Sequence, residues 1–277
     1  MREQKIEAQI WTLDNLDVVT YRNGDSIPHV EDADEWGHLN TGAWCYLNND
    51  SKNNSVYGKL YNYYAIIDPR GLAPEGYRIP AHFDWLKIQN LGAYLKSKSN
   101  WNELEKNDIY PPLNVRPGGY RDSYGRFCFD GEAIGWWASP ESDVRNQGNI
   151  AHWIYKSDPY LGWKPFSKND GFYVRCLKVT YKTTEIYFND NLRSRYKSIS
   201  LKYTGQTTFQ EVLNFIFEEF LKDEVSSFSY GVEWTIQVYD GEHIRNLDKI
   251  GNSDERNFDN ILSSQYRQTF RLIINLI

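Results

Sequence analysis

The sequence predicts an α+β fold in two parts: a loop-rich first domain over residues 1–180 and a smaller, more regular domain over 181–277. Three observations predict it. All 10 prolines lie at or before Pro165, nine of the 10 tryptophans at or before Trp163, and 15 of the 19 glycines before residue 180, so the composition breaks once, near 179–184. Up to that break, tight-turn signals recur at Asn23-Gly24-Asp25, Asp68-Pro69, Pro74-Glu75-Gly76 and Pro117-Gly118-Gly119, with little helical period between them. Beyond it, strands of period two and one amphipathic helix follow one another.

In the first domain the pattern gives two short helices. One covers 82–91, with Phe83, Leu86 and Leu91 on one side; the other covers 57–66, with Leu60, Tyr61 and Tyr64 sharing a face. The remainder reads as short strands and long loops pinned by buried Trp and Tyr. In the second domain, 185–188 is a strand, and 196–203 alternates with Ile199, Leu201 and Tyr203 on one face. Thr208 and Glu211 form a capping box that opens a helix with Phe209, Val212, Leu213, Ile216 and Phe220 on one stripe. Val232, Trp234, Ile236 and Val238 alternate with polar residues, Asp240-Gly241 signals a hairpin, and 270–276 closes the chain in period two. This strand and helix order looks like a ubiquitin-like β-grasp. The chain ends without a free Gly-Gly tail, so docking of a partner, not conjugation, is the expected role of 181–277.

Composition limits the function. With 277 residues, 40% hydrophobic and 16% aromatic, the chain can bury a real core, and no low-complexity tract marks disorder. No apolar run approaches ~18 residues, so membrane insertion is not expected. A net charge of −6, spread over both parts, argues against a bulk grip on nucleic acid. Residues 1–7 are polar and carry no apolar signal core, which places the chain as written in the cytoplasm; a trimmed signal or a dedicated export device would make it extracellular. No Cys-x-x-Cys, zincin, Walker, nucleophile-elbow or EF-hand pattern occurs. His29, His38, His82, His152 and His243 lack partner spacing and read as surface or satisfied core residues.

Several stretches of the first part, in collinear order, carry a resemblance: 10–16 (IWTLDNL), 21–28 (YRNGDSIP), 41–45 (TGAWC), 48–50 (NND), 57–62 (YGKLYN), 73–80 (APEGYRIP), 117–121 (PGGYR), 136–139 (WWAS) and 171–176 (GFYVRC). Together they make residues 5–178 similar to the Fibrobacter succinogenes major paralogous domain. The resemblance implies a C-type-lectin-like, formylglycine-generating-enzyme-like fold of bacterial origin, a scaffold also used by the variable proteins of diversity-generating retroelements. The sequence departs from the family at Ala81, where a small polar residue usually opens the helix; Ala cannot cap, which costs that helix start about 1 kcal/mol. Tyr63 stands where tryptophan is common, and the stretch between Leu95 and Pro117 is short and charged.

Within this frame, 141–170 is the region expected to carry exposed loops. Asn146, Asn149, His152, Trp153, Tyr155, Tyr160, Trp163 and Asn169 form the candidate ligand-binding set, because Tyr, Trp and Asn combine rigid contact area with adaptable hydrogen bonding. The competing reading makes Trp153 and Trp163 core. Cys45 and Cys176 are either a disulfide or two buried thiols, Cys128 reads as a core strand residue, and Trp136-Trp137 as structural. Asn48, Asn49 and Asp50 could offer oxygens to calcium, with a plain polar turn as the alternative; no other cofactor is expected.

The function expected from these readings is non-catalytic binding: a lectin-like loop surface recognising a protein or glycan, and the β-grasp part docking a protein partner. A structural subunit of a larger assembly (a phage tail, injection device or surface complex) is the alternative. An oxidase like the formylglycine-generating enzyme is the remote one, since the close-spaced thiol pair of that family is missing.

Overall fold

The computed structural model describes residues 1–96, 113, 115–140, 148–158, 160–190, 195–204, 207–222, 234–239, 244–246 and 271–276. The chain forms two compact units, Met1–Val179 and Thr180–Ile277.

The first unit is mixed α+β, mostly sheet. Its strands are β1 (Glu3–Ile6), β2 (Gln9–Thr12), β3 (Trp44–Cys45), β4 (Leu60–Asn62), β5 (Tyr77–Arg78), β6 (Gly118–Arg121), β7 (Phe127–Asp130), β8 (Ala133–Trp137), β9 (Asn149–Tyr155), β10 (Gly162–Phe166), β11 (Gly171–Phe172) and β12 (Leu177–Lys178). Among the described residues five short α-helices intervene: α1 (Ala33–Gly37), α2 (Asn54–Tyr57), α3 (Tyr63–Ile66), α4 (His82–Lys87) and α5 (Gly92–Leu95).

Two sheets result. A small one has the order β1-β2-β12-β5, in which Leu177 of β12 pairs with Trp11 of β2 and so joins the two ends of the unit. The large one runs β10-β9-β8-β6-β11-β4-β3, with β7 paired to β6. Both of its faces are covered. Trp136 and Trp137, neighbours on β8, point to opposite sides and are 1% and 0% exposed, each in its own apolar cluster. Aromatics supply the area that a short-stranded, loop-rich unit lacks in aliphatic residues.

The two predicted helices of this unit come out differently. The 82–91 stretch makes one turn and a half of α-helix, then a 3-10 turn over Gln89–Leu91. The face expected inside is reversed: Phe83 is exposed, whereas Trp85 and Ile88 are buried. As expected, Ala81 gives no side-chain cap, but Asp84 accepts the Ala81 amide at 2.9 Å and supplies half of the missing box. Asp84 is itself buried. Burial pushes its carboxyl up, but the Arg78 guanidinium at 2.5 and 3.0 Å and the Ala81 amide outweigh this and hold it below the usual range. The 57–66 helix does not exist as one element: Gly58, at φ +75°, ends α2, and the next residues extend into β4 before Asn62 caps α3. Glycine in the left-handed region breaks a period that apolar spacing alone reads as continuous.

Two buried arginines staple the loops. Arg121, fully buried, donates to the carbonyls of Gly125, Val30, Glu31 and Asp32 at 2.6–3.2 Å and lies 4.5 Å from the Trp36 ring centre. Arg175 donates to Thr12 O, Leu13 O and Asn15 Oδ1. Loop carbonyls thereby find donors that no sheet ladder gives them.

In the second unit β13 (Tyr181–Asp190), β14 (Arg195–Thr204), α6 (Phe209–Ile216), β15 (Trp234–Tyr239), β16 (Ile244–Asn246) and β17 (Arg271–Leu276) build one sheet of order β14-β13-β17-β15-β16. β13 and β17 pair in parallel and the other neighbours are antiparallel. The Thr208–Glu211 capping box is formed in both directions, and Phe209, Val212, Leu213, Ile216 and Phe220 are buried along the predicted stripe. A π-helical turn over Phe217–Leu221 follows α6.

Candidate functional site

Strand β10 ends the large sheet, and its register on β9 sorts the side chains. Gly162, Lys164 and Phe166 lie opposite Trp153, Ala151 and Asn149 on one face, and Trp163 lies opposite His152 on the other. The first face carries a linked aromatic cluster at the sheet's edge. Trp153 packs edge-on to Phe166 (5.5 Å, 86°), Tyr155 edge-on to Phe129 (5.6 Å, 86°), and Tyr120 stacks between Phe129 and the buried Phe172. Glycines make the room: a Cβ on Gly162 would sit 2.9 Å from the Trp153 ring, and one on Gly135 2.5 Å from Phe172. The Lys164 ammonium lies 4.7 Å from the Phe166 ring centre and 5.2 Å from that of Trp153. Phe129 is exposed, whereas Tyr120, Trp153, Tyr155 and Phe166 are half-buried. Phe129 also holds φ +57°, a region that bulky residues rarely occupy and that is found where other demands override backbone comfort.

On the second face Trp163 is 43% exposed and meets His82 edge-on at 4.5 Å. The rings continue inward from His82 to His152, Trp85 and Trp136, with Trp85 stacked on both His152 and Trp136. His82 Nδ1 and His152 Nε2 are 3.0 Å apart, and His152 Nδ1 is buried with no partner. Burial, with His82 beside it, pushes His152 down to about 3, and burial also lowers His82, so both rings are neutral near pH 7. Exposed Phe83 and Tyr160 lie on the chain beside His82 and just before Trp163.

The structure thus divides the predicted binding set. Tyr160 and Trp163 are exposed, and Trp153 and Tyr155 are half-buried on the aromatic edge. His152 is fully buried and does not reach the surface, because Trp85 and His82 cover it. Asn149 spends its amide on Phe166 O. Asn169 spends its amide on Trp36 O and Leu39 O, while its carbonyl accepts the Trp36 indole; it ties a loop to α1. Asn146 lies outside the described residues. Tyr120, Phe129, Lys164 and Phe166 join the surface without having been singled out, because the pairing of β7 with β6, and thus the position of Phe129 beside Tyr155, is not a local signal.

The remaining candidates are placed as follows. Asn48 donates to Asp130 and Asn49 to Glu31 O, which tie the turn to distant segments, and Asp50 accepts the Lys52 amide within it, with both asparagines at positive φ. Among the described residues no group of three or more His, Cys, Asp or Glu side chains is arranged to hold a metal. All three cysteines are free thiols. Cys45 and Cys176 are buried in different apolar clusters, and burial pushes each up to about 12. Cys128 is half-buried, not core as expected, since β7 carries its strand to the outside of the large sheet. No described helix is long and apolar enough to cross a membrane.

No curated protein and no solved structure matches the chain. The family model described as the Fibrobacter succinogenes major domain matches residues 5–178, which is the whole aromatic, loop-rich unit with the sheet edge at its rim. Over those residues, well over half its length, the chain belongs to the Fibrobacter succinogenes major domain family.

Proposed function

We propose that this chain is a non-catalytic binding protein whose first unit holds a protein or glycan ligand on the aromatic edge of its large sheet. The observation that carries the reading is the cluster of Tyr120, Phe129, Trp153, Tyr155 and Phe166 at the sheet's last strands, left half open to solvent beside Lys164. Rigid aromatics next to a cation are the composition of binding hot spots. A lectin-like reading of this unit is supported by the pairing of β2 with β12, which brings its ends together. The second unit is read as a ubiquitin-like β-grasp that docks a protein partner; the order β14-β13-β17-β15-β16, with the first and last strands parallel at its centre, supports that. The buried, protonated Cys45 and Cys176 favour binding over thiol-based oxidase chemistry, which needs thiolates.

The test uses the full chain and a Phe129→Ala/Trp153→Ala variant on a glycan array and in affinity capture from the source cells. Binding that the double variant loses, at unchanged thermal midpoint, supports the reading. Capture that is identical for both proteins would move the ligand surface elsewhere. The outer side of β10, which pairs with no strand among the described residues, favours one other reading, burial of this edge by further copies in an assembly. Light scattering separates the two: concentration-dependent oligomers abolished by the same double variant indicate assembly.

A further inference from the structure

A second site lies away from the aromatic edge. A cavity of about 380 Å³ opens between the segment that follows β2, helix α2, Arg116 and Arg175. That volume suits a small organic molecule. Apolar walls come from Leu13, Leu16, Val56 and Pro74, and polar groups from Asn15, Asn54, Ser55 and Tyr57.

Its charges do not balance internally. Asp14 is taken by Arg2, which grips it with two nitrogens at 2.5 and 2.9 Å. Asp17 stands beside Lys59, whose ammonium donates to the Asp17 carbonyl at 2.6 Å and to Asn54 Oδ1 at 2.9 Å. Two cations are left over. Arg175 is 1% exposed and its hydrogen bonds, through Nε and Nη1, go to neutral oxygens, with Asp14 near enough to attract it but bonded to Arg2. Among the described residues the Arg116 guanidinium makes no hydrogen bond or ion pair, and its Nε is buried and unpartnered. A buried donor left unmade is costly, and a buried cation without an anion more so. Burial drives Arg175 down to about 9, and the attraction of Asp14, which is already gripped by Arg2, offsets only part of it.

We propose that this cavity binds a small organic oxyanion, a carboxylate or phosphate group on a partly apolar body, with Arg116 and Arg175 facing the head group and Leu16 and Val56 facing the body. The Arg116 guanidinium fork matches both head groups, since each presents two oxygens to paired N–H donors, and Arg175 adds its Nη2, the nitrogen its internal bonds leave over. Nothing in this site depends on the aromatic edge.

The experiment is isothermal titration of the full chain with two probes, sodium benzoate and inorganic phosphate, repeated on Arg116→Gln. That substitution breaks no internal hydrogen bond, so the thermal midpoint should hold. Saturable binding of benzoate, weakened roughly tenfold or more in Arg116→Gln, supports the site and a carboxylate ligand. The same result with phosphate supports the site and a phosphate ligand. Absence of saturable binding by either probe up to 10-millimolar order, or binding that Arg116→Gln leaves unchanged, overturns the proposal.

Discussion

His82 Nδ1 and His152 Nε2 face each other at 3.0 Å beneath Trp163, and each ring is neutral. Only one proton can occupy that contact, so charging both rings would break the hydrogen bond, and charging His152 alone buries a cation among rings.

Stability should therefore fall in acid. His152 is pushed down to about 3 in the folded protein, while an unfolded histidine takes its proton near 6.5. Below that unfolded value the unfolded chain binds more protons and stability declines; above it the contribution is constant. Urea unfolding at pH 7.5 and pH 5 should differ by up to about 2 kcal/mol from this group. His152→Gln should be less stable at pH 7.5 but lose less between the two pH values; an unchanged pH slope would refute the assignment.

The thiols should react in a fixed order. Cys45 and Cys176 are buried and pushed up to about 12, while half-buried Cys128 is raised less. With an aromatic disulfide reagent at pH 8, one thiol per chain should label first, and mass mapping should place it at Cys128. The other two should label only with denaturant. Early labelling of Cys176 would contradict its burial.

Gly119→Ala should be severe. Gly119 has φ +60°, and a Cβ there would lie 2.2 Å from Cys128 O and 2.8 Å from Asp130 N, both backbone atoms of the paired strand. Relief requires β6 and β7 to part, so a loss of about 2–4 kcal/mol in chemical unfolding is expected. Gly131→Ala, with nothing within 4 Å but φ +78°, should cost only about 1 kcal/mol.

Thr208→Ala should cost about 1 kcal/mol, because the Thr208 hydroxyl accepts the Glu211 amide at 3.2 Å and Glu211 returns to the Thr208 amide at 2.7 Å. Thr208→Asn should recover most of it. The readout is the unfolding transition of the second unit, followed by amide exchange in α6.

Legibility differed between the units for a physical reason. In the second unit local chemistry and tertiary role coincide: the capping box sets the start of α6, and its apolar stripe is the face that is buried. In the first unit they diverge. Phe83 is as apolar as Trp85, but only the latter meets Trp11 and Trp136. His152 reads from sequence as a surface or satisfied core residue and as a binding candidate, and only the enclosure by β8 and α4 decides for the core. The half-open Phe129 depends on the pairing of β7 with β6, and the paired arginines of the cavity stand 59 residues apart, at 116 and 175. Tyr160 and Trp163 were readable because chain-local composition and exposure agree there.

The hydrogen-bonded neighbours β2 and β12 make the family unit a loop with a clasp at its neck. The chain enters through β1, turns back along β2, and leaves through β12 on the other side of β2, with Trp11 against Leu177, so its first and last strands share one small sheet. Tension between the ends of the unit would load the small sheet, which holds both, before it reached the large one.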